Sequence, residues 1–177
     1  MNKSVKWITR TAAALALLVA VQAVTKAGGQ LLTGSCVNLL LAVCAGVLGL
    51  GSAAVVAVVS PFLAFLLGIA QSPILVVPGI ALGNLVYVAV IAALAGLLRE
   101  KMPKTHMVPA VIAAALLKFA ALYLVVVKLI VPSLGVPAEK AAALSKTFSY
   151  PQLLTALIGG VVAALVVPLL RRAVKQA

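Results

Sequence analysis

With 177 residues, 65% of them hydrophobic and only 9% charged, and a mean hydropathy of +1.28, the chain excludes a water-soluble globule and reads as an integral membrane protein. Fourteen Lys and Arg stand against two acids, Glu100 and Glu139, for a net charge of +12, a balance that by itself would suit nucleic-acid binding. The basic residues concentrate at the ends of apolar runs and in the turns between them, which argues against a nucleic-acid partner and makes the lipid bilayer the expected one.

A helix needs about 17 to 25 apolar residues to cross a bilayer. Six runs fit, at 8–24, 36–49, 53–70, 79–98, 108–131 and 151–170. The expectation is an all-α integral membrane bundle of six transmembrane helices, one domain over residues 1–177, with both termini cytoplasmic. That topology places Lys3, Lys6, Arg10, Arg99, Lys101, Lys104, Arg171, Arg172 and Lys175 inside and only Lys26, Lys140 and Lys146 in outer loops, as the positive-inside rule requires.

The first run begins with basic residues and passes Val21-Gln22-Ala23, so it resembles the three regions of a secretory signal. Its length and its small residues argue for a retained helix. Ala12, Ala16 and Ala20 recur every four residues and make one flat stripe against which another helix can pack closely. In the second run, Cys36 and Cys44 are eight apart, about 12 Å along a helix and too far to bridge; they are expected to be small core residues. Gln30, Thr33, Ser35 and Asn38 enter this run, Asn84 and Tyr87 lie in the fourth, and Lys118 and Tyr123 lie in the fifth. Asn84 and Tyr87 are three apart and share a helical face. Residues 132–150 form the longest outer loop, whose "AEKAAALSK" segment is expected to be a short helix over something below.

Lys118 interrupts "VIAAALLKFAALYLVVVKLIV", residues 111–131. Lys128 can snorkel to the outer surface, but a lysine at a helix centre costs about 2.5 to 3.5 kcal/mol on insertion scales. With no acid inside any run, the offset comes from polar side chains, backbone carbonyls, deprotonation or an anionic ligand. The competing reading sends Lys118 along the helix to an interface or against a partner subunit. Asn38 and Asn84 are open to helix-to-helix hydrogen bonds or ligand contact, and Tyr87 and Tyr123 to packing or ligand contact. Lys118, Asn84, Tyr87, Asn38 and Tyr123 form the candidate substrate-binding set, in an outward-facing cavity lidded by loops.

Several chemistries are missing. The chain has no glycine-rich ATP loop. Its single histidine, His106, falls in a cytoplasmic turn with no cluster of acids or cysteines; it is expected to be a solvated loop residue, with no metal site and no cofactor. An enzyme working on phosphate or head groups, or a proton- or sodium-driven carrier, needs intramembrane carboxylates.

The stretch "TGSCVNLLLAVCAGVLGLGSAAVVAVVSPFLAFLLG", Thr33 to Gly68, followed by "VPGIALGNLVYV", Val77 to Val88, together with six helices, cytoplasmic ends and the alanine stripe, resembles the substrate-binding S component of energy-coupling factor (ECF) vitamin transporters. It is similar in particular to the folate, pantothenate and riboflavin group. The resemblance implies a non-enzymatic multi-pass subunit of a bacterial or archaeal cytoplasmic membrane that captures a small vitamin-like solute from outside. It further implies a membrane coupling subunit, docked on Ala12, Ala16 and Ala20, and two cytoplasmic ATPases that energise import. The implied ligand cavity matches Asn84, Tyr87 and Lys118 by location. Two rivals stand beside it: an assembly protein that binds partner helices and no solute, and a stand-alone anion carrier or channel with Lys118 along the path. Aromatic residues, 5% of the chain, are too few for a substrate that needs several stacking rings.

Overall fold

Two glycines set where the chain first reverses. Gly29 and Gly49 have φ of 76° and 89°, a left-handed region that strains any residue with a Cβ, and each stands between two long apolar helices. The computed structural model describes residues 2–70, 72–102 and 105–176, with side chains as far as Ala173; Lys104 and the side chain of Lys175, both expected as topology charges, lie outside the described residues. Among the described residues there is no strand.

The helices are α1 (Lys3–Thr25), α2 (Gly29–Val43, continued by a π-helical turn Cys44–Leu48), α3 (Leu50–Leu66), α4 (Val77–Leu98), α5 (Met107–Leu122, continued as π-helix Tyr123–Ile130), the single turn α6 (Val131–Ser133), α7 (Ala138–Thr147) and α8 (Tyr150–Gln176). Local chemistry fixes several ends. Asn2 Oδ1 accepts from Ser4 N at 3.2 Å at the start of α1, as an N-cap should. Pro78 occupies the first turn of α4, where its missing N–H costs nothing. α7, the short helix expected in the long loop, carries Glu139 in its first turn and Lys146 in its last, each complementing the helix dipole.

Among the described residues, four helical stretches are long and apolar enough to cross a membrane: Lys3–Leu48, Ile74–Leu98, Met107–Ser133 and Ala138–Ala173. This differs from the six expected runs in two ways. The first two run on as one apolar stretch of 46 residues, which as a straight helix would measure about 69 Å, over twice the bilayer core. The stretch folds back at Gly29, where Thr33 Oγ1 donates across the turn to Thr25 O at 2.8 Å. The third run was expected to reach residue 70; the helix ends at Leu66, and Gly68 closes it with φ 65°, leaving 17 residues.

Contacts along the helices give their directions. α1 and α3 run parallel, joined near their starts by Thr11 Oγ1 and Ser52 Oγ at 2.8 Å and past their ends by Lys26 Nζ donating to Gly68 O at 2.8 Å. α4 and α5 run antiparallel, with Gly83 against Leu122 and Gly79 against Val126. α2 and α8 run parallel in a four-residue register: a Cβ on Gly34 would meet Thr155 Cγ2 at 2.9 Å, one on Gly159 would meet Asn38 Cβ at 2.9 Å, and one on Gly46 would meet Val167 Cγ1 at 2.8 Å. Small side chains at this spacing let two backbones approach. The end of the bundle bearing Lys26 and α7 is taken here as its upper end, and the end bearing Arg99 and Arg171 as its lower end.

The main core gathers Leu18, Leu41, Val56, Tyr87, Ile91 and Val111, all fully buried, and a smaller upper cluster of Val76, Leu122, Val126, Val131 and Phe148 lies under α7. The outside is apolar as well, with Val24 82%, Leu66 75% and Leu97 72% exposed. Such a surface is unstable in water and stable in lipid.

Candidate functional site

Lys118, from the middle of α5, is 2% exposed. Its Nζ donates to Asn38 Oδ1 of α2 at 2.6 Å and to Asn84 Oδ1 of α4 at 2.7 Å, and it stands 5.3 Å from the centroid of the Tyr87 ring. Two amide oxygens and the negative face of an aromatic ring thus replace the water that the ammonium loses on burial. One side chain ties three helices together.

Each partner is itself held. Asn38 Nδ2 donates to Gly34 O at 2.8 Å and to Thr155 Oγ1 at 3.3 Å, which turns its oxygen toward Lys118. Thr155 Oγ1 donates in turn to Gln152 O at 3.2 Å. The Tyr87 hydroxyl donates to Ala156 O at 2.9 Å. It fits there because position 160 is glycine, where a Cβ would stand 2.7 Å from that hydroxyl.

Above this network lies a cavity of about 370 Å³, within the usual range for small-molecule sites. Lys118, Asn38 and Asn84 form part of its lining; Gln22, Lys26, Gln30 and Thr33 wall one side, Pro61 and Ala64 of α3 another, and Thr147, Phe148 and Gln152 the α7–α8 side. Among the described residues, none that lines the cavity is acidic. Phe148, 4% exposed, packs into the upper cluster, so the long loop does fold over the cavity.

The structure brings together Lys118, Asn84, Asn38 and Tyr87, with Tyr87 beneath the ammonium and outside the cavity lining. Tyr123 does not join them. It stacks on Phe119 with ring centroids 6.0 Å apart and lies 5.4 Å from Lys128 Nζ. Five residues beyond Lys118, at about 100° per residue, it falls on a different face of the helix. Sequence reasoning missed Gln22, Gln152, Thr147 and Phe148 as cavity residues. Gln22 and Gln152 carried a signal, since each is polar inside or at the edge of an apolar run, but which side of the bundle they face is decided only by packing.

His106 is also corrected. It is 5% exposed, not a solvated loop residue, because Arg171 folds into the lower end of the bundle and brings Nη1 to 3.4 Å from His106 Nε2. Arg171 Nε donates to Gly46 O at 2.6 Å, so this arginine is a structural link as well as a terminal charge. Ala12, Ala16 and Ala20 are exposed, while Thr11 and Leu18 of the same helix point into the bundle. Among the described residues, no group of three or more His, Cys, Asp or Glu is placed to hold a metal.

A family model described as ECF transporter, substrate-specific component, matches residues 10–171. No curated protein and no solved structure matches the chain. The helical membrane-like bundle, the polar cavity inside it and a match over nearly the whole length agree: the chain belongs to the substrate-specific component family of ECF transporters, membrane subunits that bind substrate for transport and are not enzymes.

Proposed function

We propose that the cavity above Lys118 is the substrate site of this S component and that its ligand is a small, vitamin-like anion. The observation that carries this reading is an ammonium at the cavity floor with only neutral partners. Asn38 and Asn84 occupy two of its three donors, and no lining carboxylate balances its charge. A carboxylate or phosphate on the ligand supplies that balance through a charge-assisted hydrogen bond. Gln22, Gln30, Thr33 and Gln152 recognise hydroxyl or amide groups, and Phe148 is the single aromatic ring among the described lining residues. Within the folate, pantothenate and riboflavin group that the sequence resembles, this lining favours a carboxylate-bearing solute without fused rings.

In the same reading, residues 1–177 act as one domain of six crossings, α1, α2, α3, α4, α5 and α8, with both termini cytoplasmic in a bacterial or archaeal cytoplasmic membrane. The alternating helix directions and the arginines at the lower end support it. The cavity then opens toward the outside under α7. Import is driven by a membrane coupling subunit docked on Ala12, Ala16 and Ala20 and by two cytoplasmic ATPases. The outward-facing alanine stripe supports that docking.

A second reading is favoured by the shortness of the two Lys118 hydrogen bonds, 2.6 and 2.7 Å: the lysine is an interhelical clasp and touches no ligand. Native mass spectrometry of the gently purified chain, with a thermal-shift panel of vitamins and their anionic precursors, separates the two. Lys118→Met is run alongside, below its own unfolding temperature. A solute bound by the parent chain and at least about tenfold weaker in the variant, the loss of one charge-assisted contact, supports the proposal. Equal affinity in both leaves Lys118 as a clasp only.

A further inference from the structure

We propose that the lower end of the bundle holds a second, independent site that binds the phosphate of an anionic phospholipid head group. A cavity of about 330 Å³ opens there between the end of α4, the end of α2 and the start of α3, and both Arg99 and Arg171 line it. Their like charges act on one another, and the other lining residues, Ala45, Gly49, Leu50 and Ala95 among them, are uncharged. Glu100, the one acid nearby in sequence, is exposed and lines no part of the cavity. Two cations facing one cavity with no acidic side chain among its described lining residues are mutually repulsive, and an anion between them removes the repulsion.

The arginines are prepared for this unequally. Arg171 is anchored through Nε to Gly46 O and through Nη1 beside His106, which fixes its guanidinium plane and leaves further N–H groups of a five-donor fork for an oxyanion. Arg99 is exposed at the cavity rim and completes a two-sided grip of the kind that arginines offer to phosphate. The uncapped start of α3 beside Leu50 adds a favourable dipole but does not make the site alone.

The surroundings favour a lipid over a soluble phosphate. Leu50, Leu97 and Trp7, which flank this end, are 48%, 72% and 46% exposed. An acyl chain leaving the head group therefore meets apolar surface. Tryptophan in such a place is typical of the membrane interface.

The test uses the full chain and two probes. In nanodiscs containing equal phosphatidylglycerol and phosphatidylcholine, native mass spectrometry should show phosphatidylglycerol retained about tenfold over phosphatidylcholine, and Arg99→Ala should bring the ratio near one. Arg99→Lys should keep part of the preference, as a point charge does. In lipid-free detergent, inorganic phosphate is titrated against the same variants while thermal stability is followed. Stabilisation by millimolar phosphate that disappears in Arg99→Ala, with no lipid selectivity in the nanodiscs, overturns the lipid source and reassigns the site to a free anion. No selectivity and no phosphate effect, or equal behaviour in Arg99→Ala, overturns the site altogether. Arg99 lines the lower cavity and no part of the one above Lys118, so failure here leaves the substrate reading untouched.

Discussion

At the scale of single residues, Asn84 offers a sharper test of the site than Lys118 itself. Replacing Lys118 leaves two amide oxygens, those of Asn38 and Asn84, buried without a donor, a penalty of about 1 to 3 kcal/mol per group that blurs binding with stability. Asn84→Asp keeps the shape and places a carboxylate 2.7 Å from the ammonium in the present geometry. If an anion is the ligand, this internal carboxylate should abolish its binding while the purified variant melts no lower than the parent. Retained binding, measured by calorimetry on both, would rule out an anionic partner for Lys118. These residues were legible in the sequence because polar groups are rare in the apolar runs and each one demands an explanation. Tyr123 was misread for the complementary reason: an aromatic residue belongs equally well on a lipid-facing, a packed or a cavity-lining face, and sequence distance from Lys118 does not decide between them.

At the scale of helices, the α2–α8 pair carries the site. Gly34 and Asn38 of α2 and Gly46 of its π-helical turn stand at multiples of four residues, against Thr155, Gly159 and Val167 on α8. Asn38 and Thr155, both in this seam, form the support for Lys118. A Cβ at Gly159 would collide with Ser35 O and stand 2.6 Å from Leu39 N, backbone atoms that cannot turn aside. Gly159→Ala should therefore cost about 1 to 3 kcal/mol, as overpacking does, and should weaken ligand binding by displacing Asn38. Thermal unfolding in detergent, with ligand titration below the transition, checks both. Wild-type stability would mean that the seam is looser than the structure has it. This seam and the alanine stripe of α1 have the same four-residue signature, yet one is buried and the other exposed. Periodicity reveals that a helix can be approached closely; only packing reveals by what.

For the molecule as a whole, the exposed stripe should be available to another protein. Ala16→Leu adds bulk at its centre and touches neither the cavity nor the core, so solute binding by the isolated chain should stay within about twofold, the range of a neutral surface change. Co-purification with a coupling subunit should fall sharply. Assembly at the parent level would move the docking face elsewhere. The same substitution separates subunit from clasp: an assembly protein that binds no solute would lose its partner and show no ligand to preserve.

The sequence by itself determined the class of solvent, the helical content, the short helix in the last loop and the identity of the one charge that needed partners, because each follows from composition or local periodicity in a medium that leaves few backbone options. Of the six expected crossings, the fourth, fifth and sixth each match a stretch of the described residues that is long and apolar enough to cross, while the joining of the first two in Lys3–Leu48 and the 17-residue α3 set the boundaries that hydropathy alone misplaced. Tertiary structure decided what local pattern cannot hold. The parallel register of α2 and α8 brought Thr155 to Asn38, 117 residues away. The rotation of each helix left Tyr123 out and brought Gln22 and Gln152 in. The return of Arg171 to Gly46, across 125 residues, buried a histidine that its own turn would have left in water.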